Sequence, residues 1–295
     1  MQVSIVDAFT RTPGAGNRAG VVLDAAGLGV DAMQRIAAAV GASETAFVLT
    51  GPGAEGVKLR YFTPTDEIEF CGHATVATFH LLTERALLPR SGTTRLECGA
   101  GVLDVELEAT EVSGSRAWIQ TPKRPWAESP VSLAQALALV GGTVDMVDTS
   151  LPVLRNGHRL MVPMRRREDV WALAPRSGPL AELLRPHGMT GVYVFTRDTR
   201  EAGSVAHSRY FAPGVGIAED PVTGAAGGPL GMYLAMHGVL ELPAAGGTVR
   251  ARIEQGDAIG KPGRIEVEVT GRAGQPEQVR IGGVAVTVLE GSLRI

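Results

Sequence analysis

The sequence predicts an α+β fold of two similar lobes, each a curved sheet or barrel wrapped around one central helix. Three observations carry this reading. The chain has 295 residues, which at about 100–200 residues per domain suggests two lobes. Strand-like runs outnumber helical ones and do not alternate with them regularly, which disfavours a doubly wound parallel sheet. One strand-turn-helix pattern also occurs twice at the same spacing.

Alternating or continuous β-branched runs mark strands at 3–9, 21–24, 46–49, 57–62, 101–108 and 116–120. Between them, 31–40 carries a helical pattern behind Asp31 as N-cap candidate, and 72–88 reads as a longer helix whose first residues are small. The second half repeats the mixture, with strands at 159–164, 191–196, 205–211, 249–255, 264–270 and 285–289. Its helices are expected at 132–140, 180–187 and 229–237. Boundaries follow: an N-terminal lobe over 1–120, a C-terminal lobe over 121–280, and a final strand segment, 281–295, that can return to the first lobe.

Composition narrows the function. Hydrophobic residues make up 44% and charged residues 20% of the chain, ordinary globular values that argue against disorder. Lys plus Arg number 28 against 31 Asp plus Glu, so no basic surplus exists for a nucleic acid partner. No apolar run is long enough to span a bilayer, and the N-terminus begins in a strand-like run without a basic signal region. A cytoplasmic protein without a membrane partner is expected. Two cysteines, Cys71 and Cys98, make neither a disulfide framework nor, alone, a zinc site. Glycine is in excess at 38 residues, which points to tight turns and close packings.

The internal repeat locates the chemistry. Phe62-Thr63-Pro64 leads to Cys71-Gly72-His73-Ala74-Thr75 and an apolar helix, while Phe211-Ala212-Pro213 leads to Asp220-Pro221-Val222-Thr223-Gly224 and another. Cys71 and Asp220 stand at the same offset from their Phe. Two such copies imply lobes whose helix N-termini point at one cleft. Free N–H groups and the positive end of a helix there suit an anion, and small residues, Gly72, Ala74, Gly224 and Ala225, let a ligand approach the backbone. A small-molecule carboxylate fits. Neither segment has the spacing of a nucleotide-binding loop.

His73, at a helix start, is expected to have a lowered pKa and a neutral ring, and is equally readable as a capping residue. Asp220 is equally readable as an N-cap, or with Glu219 as a solvated acidic pair. Glu44 lies at the entrance to an apolar strand; burial there would raise its pKa toward neutrality and suit it to general acid/base work. An isolated surface carboxylate is the plain alternative.

Together these segments resemble the phenazine-biosynthesis PhzF-like family, relatives of diaminopimelate epimerase. The matching runs are Val6-Asp7-Ala8-Phe9-Thr10 with Gly16-Asn17, Ser43-Glu44-Thr45-Ala46-Phe47, Phe62-Thr63-Pro64 through Thr75, and Glu219 through Gly224. The resemblance implies a diaminopimelate epimerase-like fold of two lobes about a pseudo-twofold axis, an active site between them, a homodimer, and no metal or organic cofactor. By position it implies Glu44 as proton-transferring carboxylate, with His73 and Asp220 as its catalytic partners. It implies substrate binding around Gly72, Thr223, Gly224 and Ala225.

Two departures stand out. Ala225 replaces the family's usual Ser, and Arg18 replaces a Pro in Gly16-Asn17-Arg18-Ala19-Gly20. The expected function is a cofactor-independent isomerase of specialised metabolite biosynthesis, moving a proton and double bond within a small unsaturated or cyclic amino or carboxylic acid. One alternative is an epimerase or racemase of the diaminopimelate type, which would need thiols at both repeat positions where this chain has Cys71 and Asp220. The other is a non-catalytic small-molecule-binding homologue.

Overall fold

The computed structural model describes residues 1–50, 56–111 and 114–294. Residues 51–55, 112–113 and 295, which fall in the expected N-terminal lobe and terminal segment, lie outside the described residues. The chain divides into two compact units, residues 1–120 with 280–295 and residues 121–279.

The first unit begins β1 (Gln2–Ala8), β2 (Asn17–Val22), α1 (Val30–Val40), β3 (Glu44–Thr50), β4 (Val57–Phe62) and β5 (Glu67–Ile68). It continues with α2 (Gly72–Glu84), β6 (Gly92–Cys98), β7 (Gly101–Ala109) and β8 (Ser115–Gln120). In the second unit follow β9 (Trp126–Ala127), α3 (Leu133–Val140), β10 (Leu154–Asn156), β11 (Arg159–Met164), α4 (Arg167–Ala172) and α5 (Ser177–Leu184). Next come β12 (Gly191–Thr196), β13 (Ala206–Ala212), β14 (Ile217–Asp220), α6 (Gly224–Met236), β15 (Gly247–Gln255), β16 (Gly263–Arg272) and β17 (Gln275–Gly283). The last strand, β18 (Ala285–Ser292), pairs antiparallel with β1 in the first unit.

Strand pairing reproduces the repeat read from the sequence. In the first unit β1–β2, β3–β4, β4–β5 and β6–β7 are antiparallel, whereas β2–β3 and β4–β6 are parallel. The second unit has the same scheme: β10–β11, β12–β13, β13–β14 and β15–β16 antiparallel, β11–β12 and β13–β15 parallel. Each unit wraps one long helix. Every residue from His73 to Thr83 of α2 is buried, and α6 is buried over most of its length. A helix apolar on all sides needs such an enclosure. The other sheet faces carry amphipathic helices: Met33 and Ile36 of α1 pack with Val3, Val22, Phe47 and Phe62, and Leu137 and Leu180 pack with Leu160, Val192 and Phe211.

Some local expectations are corrected. Asp31 does not cap α1: Gly29 is the N-cap, and Asp31 sits in the first turn, where its charge still meets the helix dipole favourably. Helix α6 starts at Gly224, before the expected 229, and Pro229 lies inside it. Close packing of Gly227 and Gly231 on Ile265 and Val267 overrides the weak helix propensity of its glycines. Strands β6 and β17 were not expected. Only Leu96 is buried in β6, which hides the alternation, and β17 contains Pro276, Gly282 and Gly283, ordinarily signs of a turn.

Candidate active site

Glu44 opens β3 with its Cα opposite Ala19 of β2. Asn17 opens β2, and His73 follows Gly72 at the start of α2. These starts converge. Glu44 Oε2 lies 3.1 Å from His73 Nε2, and Ser43 Oγ lies 3.3 Å from the same nitrogen. On the other side of the ring, Nδ1 faces Asn17 Nδ2 at 3.3 Å and Cys71 Sγ at 3.4 Å. Cys71 is the N-cap of α2, yet its side chain makes no capping hydrogen bond.

A glycine turn delivers Asn17 to the ring. Gly16 has φ +64, and a Cβ there would come within 2.2 Å of Ala8 O, so only glycine fits. Arg18 holds the same turn: its Nε and Nη2 donate to buried Asp7 at 2.8 and 3.1 Å, while Gly14 N donates to Asp7 Oδ2 at 2.7 Å. Arg18, the residue that departs from the family's Pro, therefore serves as the partner of a buried acid.

The electrostatics differ from the expectation for both titrating groups. Burial alone would raise the Glu44 pKa, but the charge of His73 and the close approach of His73 and Ser43 outweigh it and leave the carboxyl below its ordinary value. Burial alone would lower the His73 pKa, but Cys71 and Glu44 reverse the direction and lift it well above 6.5. Both shifts favour an imidazolium beside a carboxylate. The helix dipole, which would favour a neutral ring, loses to an anion in direct contact. Glu44 Oε2 is shut off from solvent and makes no hydrogen bond among the described residues; its contact with His73 is ionic rather than directional. Cys71 is a buried thiol whose pKa is raised, chiefly by burial.

Donor atoms of Glu44, Cys71 and His73 lie within 4.8 Å of one another, a spacing that could hold a metal ion. Their protonation opposes it. Ligation needs a thiolate and a neutral imidazole, so a metal would have to displace protons that burial at Cys71, and Cys71 and Glu44 at the ring, favour.

The remaining expected residues lie in the second unit. Asp220 ends β14 opposite Tyr210 of β13 and is not a helix cap; Thr223 is the N-cap of α6. Thr223 Oγ1 donates to Asp220 Oδ2 at 2.5 Å. Glu219 does not form a solvated pair with Asp220, because Arg209 grips both its oxygens at 2.8 and 2.7 Å. Gly224 and Ala225 open α6, and Ala225 is partly exposed.

Sequence reasoning missed Gln255, which is fully buried at the end of β15. Its Nε2 donates to Asp220 O at 2.9 Å and Thr223 Oγ1 at 3.0 Å, and its Oε1 accepts from Thr223 N at 3.2 Å and Tyr193 OH at 3.2 Å. A polar residue closing an apolar strand was the only signal. Arg159 was missed as well. It is 7% exposed, and its Nε and Nη1 are buried without a hydrogen-bond partner among the described residues. The guanidinium lies 5.6 Å from the Tyr210 ring, a contact worth about 0.5–2 kcal/mol, against several kcal/mol for desolvating an ion.

Comparison with known proteins places this architecture. Residues 6–291 match the model of the family described as phenazine biosynthesis-like protein. The chain is 39% identical to an uncharacterized isomerase, YddE, of Escherichia coli (strain K12), over 97% of this chain and 95% of the relative. It is 32% identical to the trans-2,3-dihydro-3-hydroxyanthranilate isomerase of Pseudomonas chlororaphis, over 98% of each. Its fold is similar to that of a Bacillus anthracis phenazine biosynthesis protein of the PhzF family, with TM-score 0.91, 32% identity and coverage of 100% of this chain and 99% of that one. The same fold recurs, at 12% identity and TM-score 0.60, in a probable proline racemase from agrobacterium radiobacter K84 covering 100% of this chain and 93% of that one. With the repeat, the two enclosed helices and these relatives in view, the chain belongs to the phenazine biosynthesis-like (PhzC-PhzF) family and is an isomerase.

Proposed function

We propose that this isomerase moves a proton, and with it a double bond, within a small unsaturated or cyclic amino or carboxylic acid, using Glu44 as the proton carrier and no cofactor. The observation that carries the reading is the buried Glu44 carboxylate beside His73, with Oε2 shielded from water and making no hydrogen bond. A carboxylate kept ionised by an adjacent imidazolium is a base at rest. On taking a proton from carbon it becomes the acid that returns the proton to another carbon of the same conjugated system. His73 holds the charge balance: its imidazolium stabilises the anionic Glu44 before transfer and the negative charge that develops on substrate afterwards. Asp220, steadied by Thr223, is the proposed second acid. The N–H groups at Gly72 and at Gly224–Ala225 are the proposed carboxylate donors.

The P. chlororaphis relative's name supplies the first compound to test, trans-2,3-dihydro-3-hydroxyanthranilate. Glu44→Gln is expected to bind ligand and unfold as the wild type does, but to lose the 10²–10⁴-fold typical of general acid/base catalysis. Extensive treatment with a chelator is expected to leave turnover unchanged, and loss that added zinc restores would contradict the cofactor-free reading.

The epimerase reading has one observation in its favour, Cys71 Sγ at 3.4 Å from His73 Nδ1. Burial raises the thiol pKa, which disfavours the thiolate that would act as the base, and the corresponding position in the second unit is Asp220. Cys71→Ser is therefore expected to retain turnover within about tenfold, whereas a thiol base would lose the 10²–10⁴-fold of a proton-transfer group.

A further inference from the structure

We propose that Arg159 is an oxyanion-binding residue of the second unit, and that the anion it receives is the carboxylate of a small organic acid. The argument starts from alternation along β11. Leu160, Val162 and Met164 pack into the cluster formed with α3 and α5, so Arg159 and Met161 face the opposite side of the sheet. On that side Phe195 of β12 meets Tyr233 of α6 with ring centroids 5.3 Å apart, and Tyr193 reaches Gln255, the residue that holds Asp220 and Thr223.

Arg159 is the first residue of β11, with its Cα opposite Gly191 of β12. Gly191 is followed by strand residues that lead to Tyr193, and Tyr210 of β13 pairs with both Tyr193 and Asp220. Arg159 thus belongs to the same end of the sheet as Asp220. The repeat gives this end a meaning. β11 corresponds to β2, and Arg159, opposite Gly191, stands where Ala19 stands opposite Glu44 in the first unit.

The groups beside the guanidinium are fixed. A Cβ on Gly191 would come within 2.8 Å of Tyr210 Cε2, so the missing side chain is what lets the ring lie there, and Arg159 sits against that ring at 5.6 Å. Tyr210 OH is held by Thr190 Oγ1 at 3.2 Å. The ring supports the cation but offers no acceptor to Nε or Nη1, both buried and unpartnered among the described residues. Arginine remains charged at any physiological pH, and a buried guanidinium ordinarily has an oxyanion across its planar fork. A carboxylate matches that fork in shape and charge.

The anion site does not depend on the proposed proton transfer at Glu44. The test therefore uses binding rather than turnover. Anthranilate and its neutral counterpart 2-aminobenzamide are titrated calorimetrically into wild type, Arg159→Lys and Arg159→Met, and thermal unfolding of each free protein is followed. Wild type is expected to bind anthranilate at least tenfold tighter than the amide. Arg159→Lys should keep part of that preference, and Arg159→Met should lose it while unfolding no earlier than wild type, because an unpaired buried charge has been removed. Equal binding of acid and amide by wild type, unchanged preference in Arg159→Met, or a lower unfolding temperature for Arg159→Met would each overturn the proposal. Loss of turnover in Glu44→Gln with anion binding intact would leave both assignments standing, whereas wild-type turnover in that variant would remove the isomerase reading alone.

Discussion

At the scale of single residues, Glu44 and His73 titrate in opposite directions from their ordinary values. His73 shifts Glu44 toward the carboxylate, and Cys71 with Glu44 shifts His73 toward the imidazolium. The consequence for stability has a definite sign. A raised histidine pKa contributes stability that is complete below about 6.5 and is lost as pH rises through the higher folded value. A lowered carboxyl pKa contributes stability that is complete above about 4.5 and is lost as pH falls through the lower folded value. The pair therefore supports the fold fully between those two ordinary values. His73→Gln should remove the cation that offsets burial at Glu44, raise the Glu44 pKa, and move the acid limb of the kcat/KM profile to higher pH. An acid limb left in place would show that His73 does not set the charge of Glu44.

Much of this site was legible in the sequence because its residues lie in short runs at the starts of elements: Ser43-Glu44 opens a strand and Gly72-His73 a helix. Less legible was their charge, since the direction of each pKa shift depends on a contact between residues 29 positions apart in the chain. Arg159 and Gln255 were invisible for a related reason. Their meaning lies in which partners the strand register brings, or fails to bring, to a buried polar group.

At the scale of elements, turns and strand ends place the chemistry. The Gly16 turn feeds Asn17 into β2 at a positive φ with no room for a Cβ. Gly16→Ala should destabilise the fold by more than about 1 kcal/mol, measured by urea unfolding, and should weaken the Asn17 contact with His73. In the second unit, Gln255 ties β15 to the β14–α6 connection. Gln255→Leu leaves Tyr193 OH and Thr223 N without this partner, at a cost on the order of 1–3 kcal/mol for an unsatisfied buried group. Stability unchanged in that variant would mean that the cluster is not holding Asp220.

Element existence was readable where period and burial agree. The strands at 57–62, 159–164 and 191–196 were expected with the bounds they have. It was unreadable where one face of a strand stays exposed, as in β6, or where Pro and Gly interrupt the pattern, as in β17.

At the scale of the whole molecule, the chain is one scheme used twice, and its last strand ties the end to the beginning. β18 pairs with β1 from Ala285 to Ser292, so the first unit is incomplete without residues from the far end of the sequence. A chain ending at residue 284 should leave an edge of β1 unpaired and unfold at markedly lower temperature; wild-type unfolding would show the pairing to be dispensable. Among the described residues no helix is long and apolar enough to cross a membrane. The repeat was legible because both copies keep the same Phe-to-polar offset, although α2 begins directly after Cys71 while α6 begins only after Thr223.

The most direct measurement is deuterium incorporation from D₂O into trans-2,3-dihydro-3-hydroxyanthranilate and related cyclic carboxylic acids, with wild type and Glu44→Gln compared at matched ligand occupancy. Wild type should exchange and isomerise at least one of them, and Glu44→Gln should do so at least about 10²-fold more slowly while its thermal unfolding is unchanged. Exchange at the wild-type rate in Glu44→Gln would contradict the assignment of Glu44 as the proton carrier.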